Sequence, residues 1–155
     1  MAKRSAGLLL FRRRDQSIEI FLVHPGGPFW AKKDLGAWSI PKGEYAESED
    51  PLAAARREFE EETGFPAPAN AVGLGELKQA GGKIVIAWAA EGDCDPAKLV
   101  SNLCEIEWPP RSGRRKEIPE VDRAGWFSTE EARERILPSQ FPLLDRLVSA
   151  LQINS

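Results

Sequence analysis

The sequence is poor in the residue types that build disulfide frameworks, zinc sites and membrane spans. It contains two cysteines, one histidine, one tyrosine and one methionine among its 155 residues. Cys94 and Cys104 are too few for a disulfide framework or a zinc site, and free cysteines pack as small hydrophobic residues. The longest apolar run, residues 84–90, is far shorter than the about 20 residues that cross a bilayer. We therefore expect a cytoplasmic protein without a membrane span.

A large excess of charge of one sign is also lacking. The chain carries 21 basic and 24 acidic side chains, which gives a net charge of −3. Such a balance exerts no general attraction on nucleic acid or anionic lipid, so we expect no specific nucleic-acid binding and no membrane association. A phosphate-rich ligand would have to be met locally, by a few basic residues or a bound cation.

The first residues resemble a signal peptide only briefly. Lys3 and Arg4 precede an apolar stretch, residues 6–11, which ends at Arg12 and is too short for the apolar core of a leader. We interpret it as the opening strand. The length favours one domain over residues 1–155.

Alternating and periodic apolar residues predict a mixed α/β chain. The predicted strands span residues 5–13, 17–24, 37–40, 72–79, 83–90, 103–108 and 125–127. A glycine pair at 81–82 predicts a hairpin between two of them. A capping box at residues 128–131 opens one helix, and a final amphipathic helix carries Leu143, Leu147 and Leu151.

The clearest predicted helix spans residues 50–63. Asp50 is a favourable N-cap residue, Pro51 suits the first helical position, and Gly64 suits the left-handed position after the helix. Near its end, Glu58, Glu61 and Glu62 stand at i, i+3 and i+4, a spacing that predicts three carboxylates on one surface patch. Their repulsion opposes local stability, whereas Mg²⁺ or Mn²⁺ would make use of their oxygens. A solvated acidic face is the alternative.

A longer pattern surrounds these glutamates. From Gly43 the chain continues with five residues, Glu49, seven residues, and then residues 57–65, which read REFEEETGF. This resembles the Nudix box, G-x5-E-x7-R-E-U-x-E-E-x-G-U, where U is aliphatic. All seven fixed letters match, and chance would produce such a match on the order of once in a million such chains, given ordinary residue frequencies. Phe59 and Phe65 are apolar but not aliphatic.

The resemblance implies a Nudix hydrolase that cleaves a nucleoside diphosphate linked to another group. It implies a Nudix-like α/β/α sandwich, with a mixed sheet between helices. It also implies that Mg²⁺, with Mn²⁺ as a substitute, is held by three glutamates and one backbone carbonyl: Glu58, Glu61, Glu62 and the carbonyl of Gly43. Arg57 would orient a glutamate by ion pairing, and Glu49 would assist electrostatically or through water. The catalytic set is Glu58, Glu61 and Arg57, together with a general base.

That base takes a proton from the attacking water. Many members of the family use a glutamate from a later loop, and this chain has acids at positions 117, 120 and 122. Glu120 lies six residues before Trp126, a placement similar to that in relatives, so we rank Glu120 first and Glu117 second. A box glutamate remains an alternative, as does a solvated loop acid.

Substrate contacts are expected from aromatic and basic residues around the box. Trp30 lies in a loop rich in glycine and proline, where it could stack on a nucleobase, and Tyr45 lies inside the box. Lys42 precedes Gly43 and could contact a phosphate as a point charge. The Pro-Lys-Gly sequence at 41–43 resembles the opening found in dinucleoside polyphosphate and diphosphoinositol polyphosphate hydrolases of the family.

A basic cluster could receive distal phosphates. It contains Arg111, Arg114, Arg115 and Lys116, in a predicted loop. A solvated run of charges is the alternative. His24 ends a predicted strand, and we interpret it as a structural histidine.

The favoured substrates are dinucleoside polyphosphates, with nucleoside triphosphates or nucleotide sugars as alternatives. Removal of oxidised nucleotides stays open, because base recognition lies outside the box. A non-catalytic nucleotide-binding regulator would be favoured by lost box glutamates, and none is lost. A purely structural acidic module leaves the spacing of Gly43, Glu49 and Gly64 unexplained. A monomer and a homodimer are both compatible with the sequence.

Overall fold

A computed structural model describes residues 3–152 of the chain. Within these residues the chain forms eight strands and three α-helices, joined in part by short 3₁₀ turns. The strands are β1 (Arg4–Arg14), β2 (Ser17–Pro25), β3 (Lys42–Glu44), β4 (Val72–Lys78), β5 (Ile84–Glu91), β6 (Leu103–Glu107), β7 (Arg115–Pro119) and β8 (Val121–Ser128). The helices are α1 (Pro51–Thr63), α2 (Thr129–Arg135) and α3 (Phe141–Gln152).

The main sheet is mixed and is built around β1. Its strand order is β4-β5-β1-β2-β8, and β3 pairs with the first half of β1. Strands β1 and β5 run parallel, whereas the other pairs in this sheet are antiparallel. Strands β6 and β7 form a separate antiparallel ribbon.

Both faces of the sheet are covered, as the α/β/α prediction requires. Along β1, alternate side chains enter opposite cores: Leu8 and Leu10 pack with α1 residues, whereas Leu9 and Phe11 pack with α2 and α3 residues. A strand buried on both faces reads as a continuous apolar run, which explains residues 6–11. The predicted α/β/α sandwich is confirmed.

Helix α1 begins and ends where its sequence predicts. The Asp50 side chain accepts a hydrogen bond from the Ala53 N–H at 3.0 Å, and Pro51 occupies the first turn. At the other end, Gly64 has φ of 77° and its N–H donates to the Glu60 carbonyl. These caps fix the length of the helix and thereby the heights of its glutamates.

Three local predictions need correction. Residues 37–40 form only isolated bridges, through Trp38 and Ser39, because this segment crosses the ends of other elements. The basic cluster is not wholly a loop, since Arg115 and Lys116 lie on β7. Strand β8 begins at Val121, four residues before the predicted start.

His24 has the structural role that the sequence predicted. Its side chain is fully buried, with Nδ1 2.9 Å from an Asp122 carboxylate oxygen and Nε2 2.6 Å from the Lys33 carbonyl oxygen.

Among residues 3–152, no helix is both long enough and apolar enough to cross a membrane.

Candidate active site

Strand β3 brings the first glycine of the box to the start of β1. Gly43 pairs with Ala6, and Lys42 pairs with Gly7. Helix α1 packs over this edge so closely that a Cβ atom on residue 43 would overlap the Glu58 carboxyl group. Glycine at this position lets the backbone approach the carboxylate.

Two of the three box glutamates lie on the buried face of α1. The exposed fractions are 9% for Glu58 and 7% for Glu62, whereas Glu61 is exposed. The prediction that all three carboxylates share one surface patch is therefore wrong in part. Residues i and i+4 lie within about 40° of each other on a helix, but i+3 and i+4 lie about 100° apart, so Glu61 turns outward.

Burial makes the two inner carboxylates hard to ionise. It raises the pKa of Glu62 to about 9, and the negative charges of Glu120 and Glu58 add to the effect. Burial likewise raises the pKa of Glu58, against the opposing influence of Arg57. In both glutamates the pKa is raised by loss of hydration and by neighbouring negative charges. A cation placed between these oxygens would offset both effects.

Arg57 joins three carboxylates of the box. Its guanidinium donates to both oxygens of Glu49, at 3.0 and 3.2 Å, and also to Glu58 at 3.0 Å and Glu61 at 3.3 Å. A planar guanidinium suits this fork-like arrangement. Arg57 thereby fixes the side-chain position of the exposed Glu61 and one oxygen of the buried Glu58.

Glu120 is held beside these carboxylates by backbone hydrogen bonds. Its N–H donates to the Asn102 carbonyl and its carbonyl accepts from the Gly26 N–H, both at 2.9 Å. The Asn102 N–H in turn donates to the Glu61 carbonyl at 2.9 Å. This chain of bonds ties the short link between β7 and β8 to the end of α1.

A cleft of about 440 Å³ opens over this arrangement. Its lining comes from β1, β3, α1, the β4–β5 turn and the β7–β8 link: Lys3, Ser5, Lys42, Gly43, Glu44, Glu58, Gln79, Lys83 and Glu120. A smaller adjoining cavity is lined by Lys42, Glu62 and Glu120, among others. The tertiary structure thus brings Glu120 together with the box carboxylates. Glu117 lines neither cavity.

Lys42 is the cationic side chain shared by both cavities. Burial lowers its pKa, and the positive charge of Lys83 adds to this, whereas Glu62, Glu44 and Glu58 act in the opposite direction.

Four other residues predicted to contact substrate lie elsewhere. The lining of the 440 Å³ cleft, drawn from residues 3–152, does not include Trp30, Tyr45, Arg114 or Arg115. Trp30 packs against the core under α3, and Tyr45 packs on the α1 face. Arg114 and Arg115 are exposed on the β6–β7 ribbon. Their contact with substrate stays a prediction.

Sequence reasoning missed Lys3, Gln79 and Lys83. Lys3 stands in the charged start of the chain, and Gln79 and Lys83 flank the glycine pair of the predicted hairpin, where nothing in the local sequence marks them as cleft residues. No local pattern connects residues 80 positions apart, so only the pairing of β1 with β5 reveals their proximity.

The donor set fits a hard divalent cation that keeps part of its water shell. Carboxylate oxygens and a carbonyl are the ligands that Mg²⁺ prefers, and the close approach of Gly43 to Glu58 leaves no side chain between them. Within the described part of the chain, no three His, Cys, Asp or Glu side chains converge as a complete metal site. Mg²⁺ commonly binds through one or two carboxylates plus substrate phosphates, which is compatible with this arrangement.

Comparison with known families agrees with this geometry. The NUDIX domain family model matches residues 1–147. The chain belongs to the Nudix family. It is a Nudix hydrolase, an enzyme that acts on pyrophosphate bonds.

Solved structures share the Nudix fold at low identity. A Caenorhabditis elegans Ap4A hydrolase in a binary complex has 22% identity and a TM-score of 0.66, covering 96% of this chain and 98% of that one. The NUDIX domain of Shewanella oneidensis NrtR, complexed with ADP ribose, has 17% identity and a TM-score of 0.67, covering 97% and 89%. A Listeria innocua mutT/nudix family protein has 19% identity and a TM-score of 0.64, covering 98% and 95%. No curated protein matches this chain.

Proposed function

We propose that this Nudix hydrolase cleaves a phosphoanhydride bond in a nucleoside diphosphate-linked substrate, with dinucleoside polyphosphates as the favoured class. The observation that carries the proposal is the meeting of Glu58, Glu120 and Lys42 in one cleft. Carboxylates and a lysine in one cleft have a chemical role when a divalent cation and an anionic substrate bind together.

The resemblance assigns Mg²⁺ or Mn²⁺ to Glu58, Glu61, Glu62 and the carbonyl of Gly43. Of these residues, Gly43 and Glu58 line the cleft, Glu62 lines the adjoining cavity and Glu61 is exposed beside them, so a cation would be held first by Glu58 and Gly43 together with substrate phosphates. The bound cation supplies charge neutralisation for the phosphates and acidifies a water molecule. Arg57 is a positioning residue. It donates hydrogen bonds to Glu58 and Glu61 while a further hydrogen bond to Glu49 holds its guanidinium in place. Burial of Glu62 keeps solvent away from the inner oxygens.

Glu120 is the proposed general base. A water oxygen attacks one phosphorus and its proton passes to the Glu120 carboxylate. The phosphorus–oxygen bond of the anhydride breaks, and the bridging oxygen leaves with the electron pair as part of the second phosphate. Lys42 lies in the same cleft and would balance charge on a non-bridging phosphate oxygen.

The substrate class rests on two arguments. The Pro-Lys-Gly sequence at 41–43 resembles that of dinucleoside polyphosphate hydrolases, and a C. elegans Ap4A hydrolase has the same fold. Nucleotide sugars are the second candidate, because the NrtR NUDIX domain of similar fold is complexed with ADP ribose. A regulator that binds without turnover is disfavoured by the complete set of box glutamates.

The decisive experiment offers the purified protein a panel of dinucleoside polyphosphates, nucleoside triphosphates and nucleotide sugars with Mg²⁺ or Mn²⁺, and separates the products by chromatography. Turnover that EDTA or Glu61→Gln abolishes is the expected result. Tight binding of a nucleotide by the wild type without turnover would overturn the catalytic proposal and favour the regulator.

A further inference from the structure

The strand that follows Glu120 begins with a β-bulge. The register of β2 against β8 shifts between His24 and Pro25, so Asp122 is an extra residue on β8. A bulge bends its strand and re-aims the side chains beside it, and bulges are frequent next to active sites. Because Glu120 directly precedes β8, the bulge affects the direction in which its carboxylate enters the cleft.

A buried histidine holds the extra residue of this bulge. His24 is fully buried, and its Nδ1 lies 2.9 Å from a carboxylate oxygen of Asp122. Its Nε2 lies 2.6 Å from the carbonyl oxygen of Lys33, in the loop after β2. Arg123 approaches the same oxygen of Asp122 at 3.6 Å. Since a bulge disrupts the ladder of backbone hydrogen bonds, the side-chain bond from His24 takes over the task of fixing this part of β8.

Both ring nitrogens of His24 face oxygen atoms. A backbone carbonyl can only accept a hydrogen bond, so Nε2 carries a proton and donates to Lys33. The neutral ring has a single N–H, which would leave Nδ1 and the carboxylate of Asp122 facing each other as two acceptors. A further proton therefore lies between them. The resulting bond is charge-assisted, and such bonds are stronger than neutral ones.

His24 lies behind the wall of the active site. Val23 and Pro25, its two neighbours in sequence, line the smaller cavity together with Glu120. The linings of both cavities, drawn from residues 3–152, do not include His24. Its ring packs edge-on against Trp38 instead, with the ring centroids 5.1 Å apart. An effect of His24 on catalysis would therefore have to pass through another residue.

The end of β2 also contacts the link before β8 directly. The Gly26 N–H donates to the Glu120 carbonyl at 2.9 Å. A Cβ atom on residue 26 would lie 2.0 Å from the Pro119 carbonyl oxygen, so the two segments touch through their backbones. His24 and Gly26 thus hold the chain on either side of the bulge. A slip of one residue in this register would turn each side chain to the opposite face.

We propose that the hydrogen bond between His24 and Asp122 fixes the β-bulge and thereby positions Glu120 as the general base. His24 and Asp122 are positioning residues that act through Glu120. The inference rests on the proposed function, in which Glu120 takes the proton of the attacking water. Without the bond the bulge relaxes and the carboxylate moves, and a misplacement of about 1 Å can cost about 100-fold in rate.

The first experiment removes the bond from either side and measures kcat and KM. His24→Gln keeps a donor near the position of Nε2 for Lys33 but loses the one that faces Asp122, and Asp122→Ala removes the acceptor. Each should lower kcat by about 10- to 100-fold with little change in KM. Asp122→Asn should retain most of kcat, because its amide donates to Nδ1 of the neutral ring. Asp93→Ala, which removes a hydrogen bond of 2.8 Å from Arg12 near the other end of β1, is the matched control.

A double-mutant cycle tests whether the effect passes through Glu120. In a Glu120→Gln background the base is absent, so adding His24→Gln should change kcat by less than about twofold. A histidine with a purely structural role would lower kcat by the same factor in both backgrounds. The melting temperature does not distinguish the two roles, since loss of a buried hydrogen bond lowers it in either case.

Amide hydrogen exchange, measured by NMR, tests the positions without turnover. The Glu120 N–H donates to the Asn102 carbonyl at 2.9 Å. In His24→Gln and Asp122→Ala this amide should exchange roughly tenfold faster than in the wild type, because the link opens locally more often. In Asp122→Asn and Asp93→Ala it should exchange at the wild-type rate.

The outcomes separate the two proposals. If the wild type hydrolyses no nucleotide with Mg²⁺, the proposed function fails, while exchange at Glu120 still tests whether the bond holds the link. Wild-type kcat in both variants, or an equal loss with and without Glu120, overturns the positioning role. Unchanged exchange at Glu120 overturns it as well. Because His24→Gln and Asp122→Ala break the same bond from opposite sides, either variant that folds is sufficient for the test.

Discussion

Gly43 lies so close to the carboxylate of Glu58 that a methyl side chain on residue 43 would overlap it. The first fixed position of the box and the second glutamate, 15 residues apart in sequence, are thus in direct contact through β3 and α1. This contact places the backbone of residue 43 beside a buried carboxylate, and carboxylate and carbonyl oxygens are ligands of the type that Mg²⁺ takes.

Gly43→Ala should therefore impair activity more than stability. The added methyl group displaces the Glu58 carboxylate or the β3 backbone, and overpacking of this kind costs about 1–3 kcal/mol. We expect kcat/KM to fall by at least an order of magnitude with the protein still folded, measured by steady-state kinetics and thermal melting. Gly73→Ala is the control, since a Cβ there meets its nearest atom at 3.7 Å. Equal activity of the two variants would contradict the prediction.

Glu62→Gln should raise the stability of the metal-free protein while lowering activity by orders of magnitude. The pKa of Glu62 in the folded state is about 9, above its ordinary value of 4.5. The folded state then binds the proton more tightly than the unfolded state, so stability contributed by the protonated carboxyl is lost as pH rises from about 4.5 towards 9. An amide avoids this loss.

Thermal melting in EDTA tests this predicted direction of the pH dependence of stability. The gain in melting temperature from Glu62→Gln should be small at pH 5 and should grow towards pH 8. Glu47→Gln, at an exposed position within the box, should show no such growth. A Glu62→Gln protein that melts lower than the wild type at pH 8 would show that the carboxylate is not under electrostatic stress.

Arg57→Lys should reduce kcat by about 10- to 100-fold, the range found when a residue that orients ligands is lost. Lysine keeps the charge but cannot donate simultaneously to Glu49, Glu58 and Glu61. Because the Arg57 side chain is 40% exposed, the loss of stability should be about 1 kcal/mol or less. Arg56→Lys, which alters a hydrogen bond to the Ala69 carbonyl, is the neighbouring control. Comparable activity losses in both variants would argue against an orienting role.

Glu120→Gln should lower kcat by about 10²- to 10⁴-fold, the range for loss of a general base, with a much smaller change in KM. Glu117→Gln should retain most of the activity, because Glu117 lies outside the linings of both cavities. The reverse ranking of the two variants would assign the base to Glu117.

The box was predictable from sequence because its chemistry is local. The caps at Asp50 and Gly64 set the register of α1, and helical periodicity alone places Glu58 and Glu62 near one another. Burial could not be predicted in this way, because it depends on β3 and on the link after β7 closing over the helix. The outward turn of Glu61 and its i,i+4 contact with Arg57, by contrast, follow from helical periodicity.

The sequence by itself determined the helix that carries the carboxylates, since its caps and glutamates depend on short-range spacing. The resemblance of the box to the Nudix pattern identified the family and implied its α/β/α architecture. Only the tertiary structure decided which side chains share the cleft. Glu120 reaches it through hydrogen bonds to Asn102 and Gly26, and Lys3 meets Lys83 through a parallel strand pair. Parallel pairing joins residues far apart in the chain, and no local pattern of residues encodes it.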